Sequence, residues 1–212
     1  MSENETQTVA AGKDATVLPP KARESLKAAR AVFLKSGYDG ATMEEIARVA
    51  AISKATLYAH FPGKAALFEE LIRVECRAVN ARLYVPDPQS ASVEAELRRV
   101  ADNYRRIFTQ REGLDLFRVL IPVAPRFPRL AEVFYEEGPG GSVRKIATYL
   151  AALDRAGRLR IPDPDLAALQ LLALISEDSR LSGMLALLPW PASEADPLID
   201  CGIAMFLAFY KP

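Results

Sequence analysis

Apolar residues recur along this chain at steps of three and four, the spacing of one face of an α-helix, and nowhere alternate as they do in a strand. The most informative run lies between Ala41 and Lys64. Met43, Ile46, Ala47 and Ala50 form a narrow stripe behind Thr42, and Thr42 with Glu45 three residues on makes a capping box. Ala50, Ala51 and Ile52 form a turn, and Ser53 caps a second short helix. Ile52 is placed to staple onto Leu57, while Leu57 and Phe61 give that helix one buried side. Its other side carries Lys54, Ala55, Thr56, Tyr58 and His60, small or hydrogen-bonding residues that a buried helix would not choose. This is the layout of a helix-turn-helix, in which one helix crosses the DNA backbone and the second enters the major groove by its N-terminal end.

The flanking pattern is helical too. Ala22, Leu26, Ala29 and Phe33 predict an amphipathic first helix ending near Ser36 and Gly37. Leu67, Phe68, Leu71, Ile72 and Val79 predict a longer helix from about Lys64 to Leu83, broken by Val85-Pro86-Asp87-Pro88. That break is the expected domain boundary, giving a polar mobile tail over residues 1–19, a DNA-binding domain over 20–84 and a second domain over 85–212. In the second domain a stripe from Val93 to Phe108 starts behind Ser92. A shorter helix with Phe117, Leu120, Ile121 and Ala124 is cut by Pro122, Pro125 and Pro128. One or two turns from Leu130 to Glu136 are expected to end at Gly138-Pro139-Gly140-Gly141, and a stripe from Val143 to Leu153 ends at Gly157. Two stretches, Leu166 to Ile175 and Cys201 to Tyr210, carry no charge. The expected class is all-α: a three-helix helix-turn-helix domain followed by a larger helical domain.

Half of the 212 residues are hydrophobic, enough for a substantial core. Lys+Arg and Asp+Glu both total 27, which argues against a protein that coats nucleic acid indiscriminately but allows a local basic surface. Between Pro20 and Glu75 nine Lys/Arg face seven Asp/Glu, a surplus of only two positive charges, so composition alone does not suggest DNA. Cys76 and Cys201 read as free thiols of a reducing compartment, with a redox pair as the other reading. The acidic, polar N-terminus is no secretory signal, and no apolar run reaches the roughly 18–20 residues that span a bilayer. A cytoplasmic protein without membrane contact is expected. An enzyme would have to build its chemistry on the single histidine, His60, which the motif places on the DNA-facing helix. No nucleophile-elbow motif occurs, the glycine cluster follows no strand, and one His with two distant Cys makes a poor zinc site, so no catalytic residue, metal or cofactor is expected. A DNA-free helical interaction module or small-molecule-binding protein remains the alternative. It explains the apolar C-terminal part but not the exposed face of the second short helix.

From Thr42 to Phe68 the chain reads T-M-E-E-I-A-x-x-A-x-I-S-K-A-T-L-Y-x-H-F-P-x-K-x-A-L-F. With Leu26, Ala29, Phe33 and Gly37-Tyr38 upstream, this resembles the TetR family of one-component transcriptional regulators. The family usually has Gly in the turn where this chain has Ala51, so a slight adjustment of the turn is expected. The segment from Ala124 to Pro139, with the following YLAALDRAGRLRIPDPDLAA, is similar to the AefR-like C-terminal domain of part of that family. The resemblance implies a homodimeric regulator, most simply a repressor, that binds palindromic double-stranded operator DNA and is released by a small-molecule effector.

It also implies DNA contacts at Thr42, Lys54, Ala55, Thr56, Tyr58, His60 and Lys64. Lys54 would read a guanine edge or touch a phosphate, and Tyr58 and Lys64 would hold phosphates. For the effector, a mainly apolar pocket is expected among Tyr104, Phe108, Phe117, Ile121 and Tyr149, although a plain core uses the same residues. Dimerisation is expected through about Pro164–Leu188 and Asp196–Tyr210, with Leu172, Ile175, Leu185, Phe206 and Phe209 at the interface. Glu177, Asp178 and Arg180 interrupt the first of these helices, either as an ion-pair rim of that interface or as partners for a polar group of the effector.

Overall fold

The computed structural model describes residues 18–109, 111–185, 187 and 196–212. The expected mobile tail thus lies almost wholly outside the described residues, as does Leu188. Among those described the secondary structure is helical, with no strand. Ten α-helices follow in order: α1 (Pro20–Gly40), α2 (Met43–Val49), α3 (Lys54–His60), α4 (Lys64–Ala81), α5 (Val93–Thr109), α6 (Arg111–Leu120), α7 (Pro128–Glu137), α8 (Pro139–Arg155), α9 (Pro164–Met184) and α10 (Pro197–Phe209). A short 3-10 turn, Ala124–Arg126, sits between α6 and α7.

Local chemistry accounts for most of the boundaries. Thr42, Ser53, Asp163 and Asp196 each accept a backbone N–H at the start of their helix, and α1, α7, α8, α9 and α10 carry proline in the first turn, where no donor is lost. In α1 the chain kinks at Gly37, whose φ of 67° is open to glycine at little cost. Gly138-Pro139-Gly140-Gly141 ends α7 as expected, with Gly138 as its C-cap, and also starts the next helix, because α8 begins at Pro139 and the two following glycines lie in its first turn. Gly141 is there for space: a Cβ would collide with the side-chain amide of Asn80, where α4 and α8 come together.

Two hydrophobic cores result, and the break at residues 85–88 does not divide them cleanly. The first joins α1–α4 to Leu116 and Leu120 of α6 and Leu130 and Val133 of α7. At its centre Phe33 and Phe68 meet with ring centroids 4.6 Å apart, and Tyr38 bridges from Phe68 (5.1 Å) to Phe127 (4.9 Å). The second core joins α5, α8, α9 and α10 around Leu97, Leu150, Leu153, Leu171 and Phe206.

The cores are fastened together at the C-terminal half of α4. Asn80 donates to the carbonyls of Glu137 and Gly138 and accepts from the Ser142 hydroxyl at 2.9 Å, and Lys145 donates to the Asn80 carbonyl. Arg73 and Arg77 both donate to the Glu137 carboxylate, at 3.0 and 2.7 Å. The Arg77 guanidinium is the main cause that holds the Glu137 carboxyl below its ordinary value.

Candidate nucleic-acid interface

The region that the sequence singles out forms two short helices, α2 and α3, joined by a tight turn. Thr42 accepts from the Glu45 N–H at 3.2 Å, and Ser53 from the Thr56 N–H at 3.1 Å. The turn corrects one expectation. Ala51 keeps the left-handed conformation that glycine favours, with φ 53°, and is the only described non-glycine residue with positive φ. The Ile52 N–H reaches the Ala47 carbonyl (3.1 Å) and the Ala51 N–H reaches the Arg48 carbonyl (3.2 Å). These are the paired bonds of a Schellman end, which require that conformation. The chain therefore carries the strain of a Cβ at this position and does not change the turn.

Leu57 is fully buried and Phe61 nearly so, which anchors α3 on the first core. The opposite face is open: Lys54, Ala55 and Ala59 are exposed, and Tyr58, a large aromatic, is 47% exposed. Thr56 and His60 are half-buried, the Thr56 hydroxyl lies 2.8 Å from that of Ser53, and the His60 ring is 6.3 Å from Phe61. The cations of the surface have partners. Lys54 Nζ lies 2.7 Å from Glu44 Oε1, and Arg48 holds both carboxylate oxygens of Glu45, at 2.8 and 2.7 Å.

Lys64 departs from the expectation of a phosphate contact. Its ammonium donates to the carbonyls of Tyr38 (2.7 Å), Asp39 (3.2 Å) and Ala41 (3.0 Å), and sits 4.7 Å from the centre of the Tyr38 ring. Three protons on three carbonyls leave none for DNA. The residue closes the end of α1, where orphan carbonyls favour a cation.

A cavity of about 140 Å³ lies between the cores. Its walls come from Cys76, Val79 and Asn80 of α4, Phe108 of α5, Phe117 of α6, Phe134 of α7, Ser142 of α8 and Arg180 of α9. Phe117 and Phe134 face each other with centroids 5.1 Å apart. Burial pushes the Cys76 thiol up to about 12, so this cysteine is a neutral wall of the cavity, while Cys201 is exposed on α10.

Of the five expected pocket residues only Phe108 and Phe117 line this cavity. Tyr104 packs edge-on behind Phe108 at 5.3 Å, and burial pushes its hydroxyl up to about 12. Ile121 lies just past the last residue of α6 and is 48% exposed. Tyr149 belongs to the second core, about two turns further along α8 from the cavity-lining Ser142. Sequence reasoning missed Cys76, Val79, Asn80, Phe134 and Ser142. Only the unusual Gly141 opposite α4 signalled that contact, and it signals it only once the two helices are known to meet.

The expected dimer residues also split. Leu172, Ile175 and Phe206 are buried within the chain, whereas Leu185 and Phe209 are 62% and 76% exposed. Leu166, Leu169 and Leu181 on α9 and Leu198 and Met205 on α10 join them on the outside. Arg180 pairs with Glu177 on α9 and reaches the cavity.

Comparison with known proteins settles what kind of molecule this is. Residues 26–71 match the family of bacterial regulatory proteins called the tetR family, and residues 95–212 match the AefR-like transcriptional repressor C-terminal domain. The chain belongs to the TetR family. The flavonoid-responsive regulator FrrA superposes with a TM-score of 0.83 at 36% identity, over 91% of this chain and 97% of that one. A TetR-family transcriptional regulator from Mesorhizobium loti superposes with a TM-score of 0.73 at 29% identity, over 91% and 97%. The uncharacterized HTH-type transcriptional regulator YdeS of Bacillus subtilis is 35% identical over 109 residues, 51% of this chain and 52% of YdeS. IcaR of Staphylococcus aureus, a negative regulator of the biofilm operon icaADBC, is 40% identical over 42 residues, 20% of this chain and 23% of IcaR. The chain thus spans about half the length of YdeS and less than a quarter of IcaR. These TetR-family relatives are transcriptional regulators, not enzymes. No helix among the described residues is long and apolar enough to cross a membrane.

Proposed function

We propose that this TetR-family regulator is a repressor that binds a palindromic operator as a homodimer, and that a small apolar effector in the cavity releases it. The observation that carries the reading is α3 itself: anchored by a fully buried Leu57, it leaves Lys54, Ala55 and Tyr58 exposed on a face that the fold does not use. Lys54 and the small residues around it read base edges, while Tyr58, His60 and the N-terminal N–H groups of α2 behind Thr42 hold phosphates. The dimer forms on the exposed stripes of α9 and α10, whose water-facing leucines, Met205 and Phe209 have no partner in the subunit. Two α3 helices related by two-fold symmetry then enter major grooves about one turn, roughly 34–36 Å, apart.

The effector is a flat aromatic compound. Phe108, Phe117 and Phe134 supply ring faces, and Asn80, Ser142 and Arg180 supply a few polar contacts. The name of FrrA says that it responds to flavonoids, which supports the same class here. At about 140 Å³ the cavity admits roughly one aromatic ring, so anything larger must part its walls. One wall is α4, whose first residue, Lys64, holds the end of α1 roughly 18–24 Å away along the helix. A ligand that prefers the parted state thereby disfavours the spacing that DNA needs, by as much as its two affinities differ.

Retention of genomic fragments in gel shifts tests the DNA half, and failure to retain any fragment favours the alternative of a helical binding protein without an operator. Titration of a retained complex with aromatic compounds tests the other half. By reciprocity an inducer must bind more weakly when operator is present, and equal affinities exclude the compound.

A further inference from the structure

Every cation between Thr42 and Lys64 already has an anionic or carbonyl partner within the protein. Arg48 is held by Glu45 through two bonds, Lys54 by Glu44, and Lys64 by three carbonyls. Glu45 pairs inside its own helix, and its backbone N–H is already the one that Thr42 caps. Glu44 does something else. It reaches from the first turn of α2 across to the first residue of α3. The pair is exposed, 59% at Lys54 and 55% at Glu44, so it adds little to stability. A carboxylate on a face that meets a polyanion therefore needs another explanation than folding.

We propose that Glu44 is a specificity-determining residue, which holds the Lys54 ammonium away from the DNA backbone so that Lys54 is given up only to the acceptor atoms of a guanine edge. This rests on the DNA-binding reading above. Binding to arbitrary DNA grows with the number of phosphates neutralised and of counterions released. A lysine paired with a carboxylate neutralises a phosphate only by leaving that carboxylate unpaired beside another negative charge. On random sequence that exchange gains little. In the groove, O6 and N7 of guanine offer Lys54 two acceptors on a neutral base, which a phosphate-bound geometry cannot match. Glu44 thus subtracts from binding everywhere and subtracts least at the right base, which is how specificity arises from a repulsive element.

The test uses the full-length protein with a random duplex and with an operator obtained by selection, comparing wild type, Glu44→Gln, Lys54→Ala and the double variant. Thermal melts first establish that all four fold alike. Glu44→Gln should bind the random duplex several-fold more tightly at low salt and steepen log K against log salt by about 0.9 per half-site, hence about two per dimer. Its ratio of operator to random affinity should fall by a similar factor. In the double variant both changes should disappear, because the freed lysine is gone. An equal gain from Glu44→Gln with and without Lys54 would mean that only net charge matters and would overturn the proposal. So would an unchanged slope, or a loss confined to one cytosine position of the operator, which would make Glu44 a base reader itself. A wild type that binds neither duplex would instead refute the DNA-binding reading underneath.

Discussion

Lys64 has three ammonium protons and three carbonyl oxygens within reach, so its role is to close α1. Lys64→Ala should therefore lower folding stability by about 1–3 kcal/mol, since partly buried acceptors lose a charged donor. It should leave the salt dependence of DNA binding unchanged in the fraction that remains folded, whereas a drop of about one unit per half-site would restore the phosphate contact. Ala51 is the opposite case, a residue whose fit can be improved. Ala51→Gly relieves a Cβ held at φ 53° and should raise stability by about 1 kcal/mol, read as a higher melting temperature. A lower one would mean that the greater freedom of the unfolded chain outweighs the strain. At this scale the sequence was most legible where the chemistry is local, as in the caps at Thr42 and Ser53. Lys64 was not legible, because its partners lie more than twenty residues away in α1 and nothing near it in sequence announces them.

Among the elements, α4 is the shared one, and its junction with α7 and α8 depends on Glu137 between Arg73 and Arg77. The folded carboxyl lies below its ordinary value of 4.5, chiefly through the Arg77 bond. The stability it contributes is thus fully present above that ordinary value and is lost as the pH falls through the lower, folded one. Glu70, which burial raises, works in the other direction, so the comparison must isolate Glu137. Melts of wild type and Glu137→Gln should differ at neutral pH and converge as the pH falls through the lowered, folded value of the carboxyl. A difference that persists in acid would assign the effect to shape and not to charge. Gly141→Ala should separate α4 from α8, at a cost of about 1–3 kcal/mol, because Asn80 fills the space of its Cβ. The run Gly138–Gly141 was legible as the end of α7 but not as the start of α8, since glycine and proline mark helix ends and helix starts alike. The start shows in Pro139 in the first turn and in the approach of Asn80, and the second is a tertiary fact. The uncharged stretches of α9 and α10 mislead in a related way. They show that both faces of each helix are apolar but not which face packs inward, so the pattern does not separate the buried Leu172, Ile175 and Phe206 from the exposed Leu166, Leu181 and Met205.

For the whole molecule the exposed stripes of α9 and α10 are the feature that a single subunit leaves unexplained. Phe209→Glu, on the outside, should yield folded monomers in light scattering at micromolar concentration with weakened operator binding. Phe206→Glu, in the second core, should fail to fold. Folded dimers from Phe209→Glu would move the interface elsewhere. The all-helical class and the DNA-facing face of α3 were legible because periodicity and caps repeat along the chain. The cavity was not, because six helices, α4 to α9, build it and most of its lining is made of ordinary core residues. The account stands most directly on one measurement, repeated selection of binding sites for the purified wild type from a pool of randomised duplexes. It predicts a two-fold symmetric motif whose half-sites are centred about ten base pairs, or a whole multiple of one turn, apart. A pool that shows no enriched motif, or a single unpaired half-site bound by one subunit, would contradict it.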